Sequence, residues 1–458
     1  MRLWTLLAAS IGALAWSGAG ATATPPAVTI TASDGTQLAC GLVEPDGSPP
    51  AGGWPGIVLF HGSGQTHADM DALAAAGLAP AGYASLACDA RGTGASGGAF
   101  GLDGPRDVED ARDLYDWLAA RPEVSDTRIG AVGLSLGGAL VWNATAAGVP
   151  FKAIVPTVTW TSLAAALAPQ GVVRIGLLGP LASGVPLNRW DPSLAAAGSA
   201  LLGGTLSAPA KEAANARSVA RNLSSLSVPT LLIQGRHDFV VDLDQALSAY
   251  RQLRGPKALY VGDLGHAPAA NPPGEQRTYI DAVVAWLDRY VKEQPGAPGP
   301  SVVLAHDPWD GTTTGYAGLP PTTRASVALP GSTTLRPATT VSRGARLTGG
   351  PHETFGGGTV TVRYSGAKDW PRLVATVSVA GDPTPVTVGA APVTGPAGVV
   401  TIHLLDECVL VPGGAKLVVT LAATSAPGWY TQPAPAGSTI TVGRETLQLS
   451  LLRRAVSR

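Results

Sequence analysis

The segment Gly133-Leu134-Ser135-Leu136-Gly137-Gly138 constrains this chain more than any other. It follows a compact apolar run, Ile129 to Val132, whose spacing predicts a strand. It leads into an Ala/Gly-rich stretch, Gly137 to Ala147, predicted as a helix. A serine at the apex of a strand-to-helix turn must take a strained backbone conformation that lifts its hydroxyl clear of the fold. Glycines on either side remove the Cβ atoms that would collide where helix and strand meet. Ser135 is therefore read as a candidate nucleophile rather than as a structural turn serine.

The surrounding pattern extends this unit into a sheet. Val28 to Ile30 and Gln37 to Leu42 flank Asp34-Gly35 as a hairpin. Short apolar runs at Ile57–Phe60, Ala84–Cys88, Phe151–Pro156, Thr230–Ile233 and Lys257–Val261 alternate with helical patterns at Asp69–Ala81, Pro105–Ala120, Leu243–Leu253 and Glu275–Tyr290. Strand–helix alternation of this kind predicts an α/β fold, a largely parallel sheet covered on both faces. Residues 157–228 hold no convincing strand and are read as a helical insertion over the site.

A hydroxyl is a weak nucleophile and needs a base to take its proton. His266 lies in the loop after the Lys257–Val261 run and is read as that base. Asp238, in the loop after Thr230–Ile233, is read as the carboxylate that orients the imidazole. Asp242, Asp244 and Asp263 compete for that role. The first two suit the start of the next helix, where acids are favoured. The oxyanion of an acyl-transfer intermediate needs two donors. Leu136 N–H, at the start of the helix, is one candidate. Ser63 N–H, in His61-Gly62-Ser63-Gly64, is the other, with Gly64 as an alternative. His61 is read as supporting this loop and His237 as shaping the loop of Asp238. The glycine-rich stretch Asp89 to Gly98 lacks a phosphate-loop pattern, and Arg91 is expected to pair with Asp89 or another loop carboxylate.

With 31 basic and 32 acidic residues, the chain advertises no surface for nucleic acid. Residues 1–23 carry Arg2, an apolar run from Leu3 to Trp16 and small residues at Ala19, Ala21 and Ala23, the pattern of an export signal. A secreted or periplasmic location is expected, a retained anchor being the alternative, and no later stretch reads as a stable membrane insertion. The three cysteines are too few for a disulfide framework. Cys40 and Cys88 both lie in strand-like segments, and their pairing is left open. No cofactor is expected, and neither cysteine nor histidine spacing suggests a metal site.

After a Pro/Gly-rich boundary near residues 291–300 the chain becomes β-branched and partly alternating, as in Thr359–Tyr364, Leu373–Val379 and Lys416–Leu421. Residues 24–292 are thus read as the catalytic domain and 301–458 as an all-β sandwich of eight or nine strands. Trp370 and Trp429 are candidates for surface platforms or for core packing.

These segments together resemble the α/β-hydrolase superfamily. The Asp89–Gly98 stretch, Gly101 through Pro122, the turn at Ser135 and the β-rich tail resemble the group of Xaa-Pro dipeptidyl-peptidases (S15) and cocaine-esterase-like acyl hydrolases. That resemblance implies a helical cap and a C-terminal jelly-roll. Members of the group often carry tyrosine in the oxyanion loop and after the nucleophile, where this chain has His61-Gly62-Ser63-Gly64 and Leu136. The departure shifts the expectation from proline-specific peptidase toward ester hydrolysis on a small-molecule ester, with a short peptide as the alternative substrate. A catalytically silent binding protein is the reading from a different class, and sequence leaves the oligomeric state open.

Overall fold

In a computed structural model the described residues are 27–296, 299–425 and 428–453, so the predicted export segment lies outside them. The first sheet has ten strands: β1 (Ala27–Thr31), β2 (Gln37–Val43), β3 (Trp54–Phe60), β4 (Ala84–Cys88), β5 (Val124–Leu134), β6 (Ile154–Thr157), β7 (Thr230–Gly235), β8 (Lys257–Gly262), β9 (Val302–Ala305) and β10 (Thr313–Tyr316). Their spatial order is β1-β2-β4-β3-β5-β6-β7-β8-β9-β10. Pairing is parallel from β4 to β9 and antiparallel at both edges.

Strands buried on both faces read as continuous apolar runs, and β3, β4, β6 and β7 are buried along their whole length. One face packs on α1 (His67–Leu73) and on a later helix at Pro273–Tyr290, through Met70, Ile280, Val283 and Leu287. The other packs on α2 (Pro105–Ala119), α3 (Leu136–Ala146) and a helix at Leu243–Gln252, through Leu114, Trp142 and Leu247. The helix predicted to Ala81 is interrupted, because α1 passes at Ala74 into a single π turn ending at Leu78. Cys40 and Cys88 face each other across the antiparallel β2–β4 pair and are joined by a disulfide.

Between β6 and β7 the chain forms a cap of short helices, α4 (Leu163–Leu167), α5 (Ile175–Ser183), α6 (Ala195–Leu202) and α7 (Ala208–Asn215). The two helices already placed at Leu243–Gln252 and Pro273–Tyr290 are α8 and α9. The boundary read at residues 292–301 falls too early for the sheet, since β9 and β10 lie beyond it and complete the first sheet. Their β-branched composition suits either sheet. The free edge of β8, which pairs Leu259, Tyr260 and Val261 with Val302, Val303 and Leu304, settles which one β9 joins.

Among the described residues from Thr322 onward, the C-terminal region is two antiparallel sheets of six and four strands, ten strands rather than eight or nine. Val360, Val362 and Leu447 from one sheet and Val377, Val419 and Leu421 from the other share one apolar core. Trp370 and Trp429 are buried, which places both in packing and sets aside the surface-platform reading.

Candidate active site

Ser135 stands between β5 and α3 at φ 50° and ψ −111°, a region that L-residues rarely occupy. The flanking glycines make this turn possible. A Cβ on Gly133 would lie 2.2 Å from the Gly137 carbonyl oxygen, and one on Gly137 would lie 2.2 Å from the Phe60 carbonyl oxygen. Ser135 N–H donates to Thr157 O at 2.8 Å, which ties the turn to the end of β6.

His266 occupies the loop after β8, within reach of Ser135. Its Nε2 lies 2.9 Å from Ser135 Oγ, and its Nδ1 lies 2.7 Å from Asp238 Oδ2. The carboxylate accepts from Nδ1–H, so Nε2 is left to accept the serine proton. Gly265, at φ 102°, allows the close approach, since a Cβ there would lie 2.8 Å from both Asp238 Oδ2 and Val158 Cγ1.

Asp238 follows β7 and is fully buried. Its Oδ1 accepts from Val240 N–H and Val241 N–H, each at 2.9 Å, and its Oδ2 accepts from His266 N–H at 3.2 Å as well as from the ring. Four donors therefore hold the carboxylate in one orientation. The competing acids are committed elsewhere. Asp242 is the residue before α8 and accepts from Asp406 N–H, Asp244 lies in the first turn of α8, and Asp263 accepts from Ala270 N–H.

Leu136 is the first residue of α3, where helical N–H groups have no partner within the helix. Ser63, in the loop after β3, lines the same cavity wall as Ser135 and Leu136. Gly137 N–H donates to His61 O at 3.1 Å, so α3 and this loop are joined directly. The His61 ring accepts from Ala90 N–H through Nε2 and therefore donates from Nδ1 to Gly62 O. Burial holds its pKa below the usual histidine value, which suits a neutral ring. Asp89 accepts from His67 N–H and Ala95 N–H, while Arg91 pairs with Asp110 and Asp34 rather than with Asp89.

Two supports of the Asp238 loop carry no local sequence signal. From the C-terminal sheets, Glu407 accepts the Asp238 N–H at 3.2 Å, Asp406 O accepts Leu243 N–H, and Cys408 N–H donates to Arg236 O. Burial, with the nearby Asp242 and Asp238 carboxylates, pushes Glu407 well above the usual range. That burial disfavours a second anion beside Asp238. From the cap, fully buried Arg174 donates to Phe239 O and Val240 O. His237 contacts the C-terminal sheets through Pro385 O, 2.9 Å from its Nε2.

Above Ser135 lies a cavity of about 500 Å³ between the sheet and the cap. Trp160 and Trp190 form part of its wall, and both indole N–H groups are satisfied by backbone carbonyls, of Arg217 and Val185. Among the described residues no group of acids, histidines and cysteines is arranged to hold a metal. Nor is any helix there long and apolar enough to cross a membrane.

The same two-part architecture occurs in solved structures. A CocE/NonD family hydrolase from Staphylococcus aureus superposes with a TM-score of 0.70 at 14% identity, over 94% of this chain and 97% of that one. An aminopeptidase from a marine sediment Thaumarchaeota archaeon gives 0.67 at 14% identity, over 96% and 100%. An α-amino acid ester hydrolase gives 0.66 at 14% identity, over 96% and 99%. At such identities the likeness is one of fold. A comparison with curated proteins finds no match. The model of the X-Pro dipeptidyl-peptidase (S15) family matches residues 34–268, a stretch that contains the Ser135 turn, the Asp238 loop and the His266 loop. The chain therefore belongs to the S15 peptidase family and is a serine hydrolase of the α/β-hydrolase type.

Proposed function

We propose that the protein hydrolyses carboxylic esters through an acyl-enzyme on Ser135, with His266 as base and then acid and Asp238 as its orienting carboxylate. The observation that carries this reading is the continuous relay from Ser135 Oγ through the His266 ring to Asp238, at 2.9 and 2.7 Å. Ser135 Oγ attacks the ester carbonyl carbon as its proton passes to His266 Nε2. The resulting oxyanion is met by the backbone N–H groups of Leu136 and Ser63. The intermediate collapses, His266 returns the proton to the departing alkoxide, and the alcohol leaves. Water, deprotonated by the same imidazole, then attacks the acyl-enzyme and releases the carboxylic acid with Ser135 restored.

Cleavage of Xaa-Pro peptides is the second reading, favoured by the family match. A dipeptidyl-peptidase must hold the substrate α-amine, which calls for a carboxylate facing the pocket. Among the described residues Asp191 is the one acid on the cavity lining, where its Oδ1 caps a short helical turn by accepting from Ser193 N–H, and no second carboxylate stands with it to clamp an amine. The ester reading therefore leads. Purified protein should turn over short aryl esters and leave Xaa-Pro aryl amides intact, and sustained cleavage of those amides would reinstate the peptidase. A complete relay argues against a silent binding protein. Failure of a fluorophosphonate to label the chain would restore that reading.

Export to a secreted or periplasmic location is part of the same proposal. It is supported by the composition of residues 1–23 and by the Cys40–Cys88 disulfide, a bond that persists in oxidising compartments. Fractionation of expressing cells should recover the activity outside the cytoplasm.

A further inference from the structure

The cavity above Ser135 narrows the class of ester. Its wall is built by Trp160, Leu163, Leu167, Leu178, Trp190 and Leu201, drawn mostly from the cap. The two charged side chains on the lining are tied to backbone. Asp191 accepts from Ser193 N–H, and Arg217 donates to Gly101 O and Ala213 O. A substrate entering here finds mainly apolar surface, broken by the Asp191 carboxylate and the Arg217 guanidinium, and the Ser135 hydroxyl beside Ser63 and Leu136.

At the rim the apolar surface continues into solvent. Leu187 and Leu202 both line the cavity, yet they are 79% and 63% exposed. Exposed aliphatic side chains contiguous with a pocket mark the place where an apolar ligand enters. A cavity of about 500 Å³, at roughly 30 Å³ per methylene-sized group and with imperfect filling, has room for a chain on the order of ten carbons.

We propose that the preferred substrates are esters of medium-to-long acyl chains, with the chain lying in the cap cavity and entering past Leu187 and Leu202. This rests on the reading of Ser135 as an ester-cleaving nucleophile and adds the acyl class to it. Each methylene that moves from water into the cavity contributes up to about fourfold to kcat/KM when the transition state holds it.

Gly198 supplies a direct test. It lines the cavity on α6, and a Cβ there would meet no atom within 4 Å, so the position accepts a side chain at its root. The experiment measures kcat/KM for p-nitrophenyl esters from acetate to dodecanoate on the wild-type chain, Gly198→Phe and Leu202→Asp, with fluorophosphonate labelling of each. Wild-type kcat/KM should rise at least a hundredfold from acetate to octanoate. Gly198→Phe should cut the octanoate-to-acetate ratio at least tenfold, and Leu202→Asp should cut it severalfold. A wild-type profile that is flat or falls with chain length overturns the proposal, as does a ratio unchanged in Gly198→Phe. If acetate is hydrolysed and Ser135 labels while the profile is flat, the acyl class alone fails. If no ester acylates Ser135, the underlying ester reading fails with it.

Discussion

The relay at Ser135 and the cavity above it are built on opposite principles. In the relay, polar atoms are committed one by one: Asp238 accepts four hydrogen bonds, and His266 is held at both nitrogens. In the cavity no single polar contact dominates, and leucines and two tryptophans offer surface. The relay's interactions are directional and fail when one atom moves, whereas apolar contact scales with area and degrades gradually. Changes to the relay should therefore lower turnover of every ester together, and changes to the cavity should alter the order among esters.

The sharpest break in that contrast is Asp238→Asn. The amide cannot accept from His266 Nδ1–H and from the Val240 and Val241 N–H groups as the carboxylate does, so the ring loses its orientation. A loss in kcat on the order of 10⁴ is expected, by analogy with the same change in a serine protease triad. Acetate and octanoate should fall by the same factor. A loss confined to one chain length would merge the two regions into a single device.

A smaller effect is expected at Glu407, which contacts neither substrate nor ring. Glu407→Ala leaves the buried Asp238 N–H without its acceptor, a cost of about 1–3 kcal/mol if it falls on the transition state. We expect kcat to drop about tenfold with KM little changed and with the chain-length ratio intact, and Glu407→Gln to restore most of the loss. Steady-state kinetics on both variants check this. A rise in KM with kcat unchanged would place Glu407 on the substrate side.

Why the relay was legible and its support was not follows from distance along the chain. Ser135 follows its strand directly, and Asp238 and His266 stand in the short loops just beyond theirs, where residue type and local pattern suffice to place them. Glu407 stands 169 residues from Asp238, inside a strand-rich stretch where an acid looks like a solvated loop residue. Arg174 likewise reads as a surface cation until the cap folds over it. The cap was legible as a region without strands, but its cavity depends on how four short helices meet. The strands β9 and β10 were assigned to the wrong sheet because edge pairing, not composition, decides membership.

The smallest effect concerns pH and the contact between the two parts of the molecule. Burial, with Asp242 and Asp244 nearby, pushes Asp406 up to about 8 from the usual carboxylate range, against the opposing charge of Arg251. Between about pH 4 and 8 the folded chain keeps a proton there that the unfolded chain has released. Its contribution to stability thus falls as pH rises through that window and levels off above it. Asp406→Asn removes this titration, so its melting temperature should decline less than that of the wild type between pH 6 and 8.5. Thermal melts at both pH values give the comparison, and parallel declines would remove Asp406 from the account.

In this mechanism Ser135 carries the acyl group. Intact-mass and peptide mass spectrometry after fluorophosphonate treatment test it most directly. One adduct per chain is expected, on the peptide containing Ser135, and none on Ser135→Ala. An unlabelled wild-type chain, or an adduct that persists in Ser135→Ala, would contradict it.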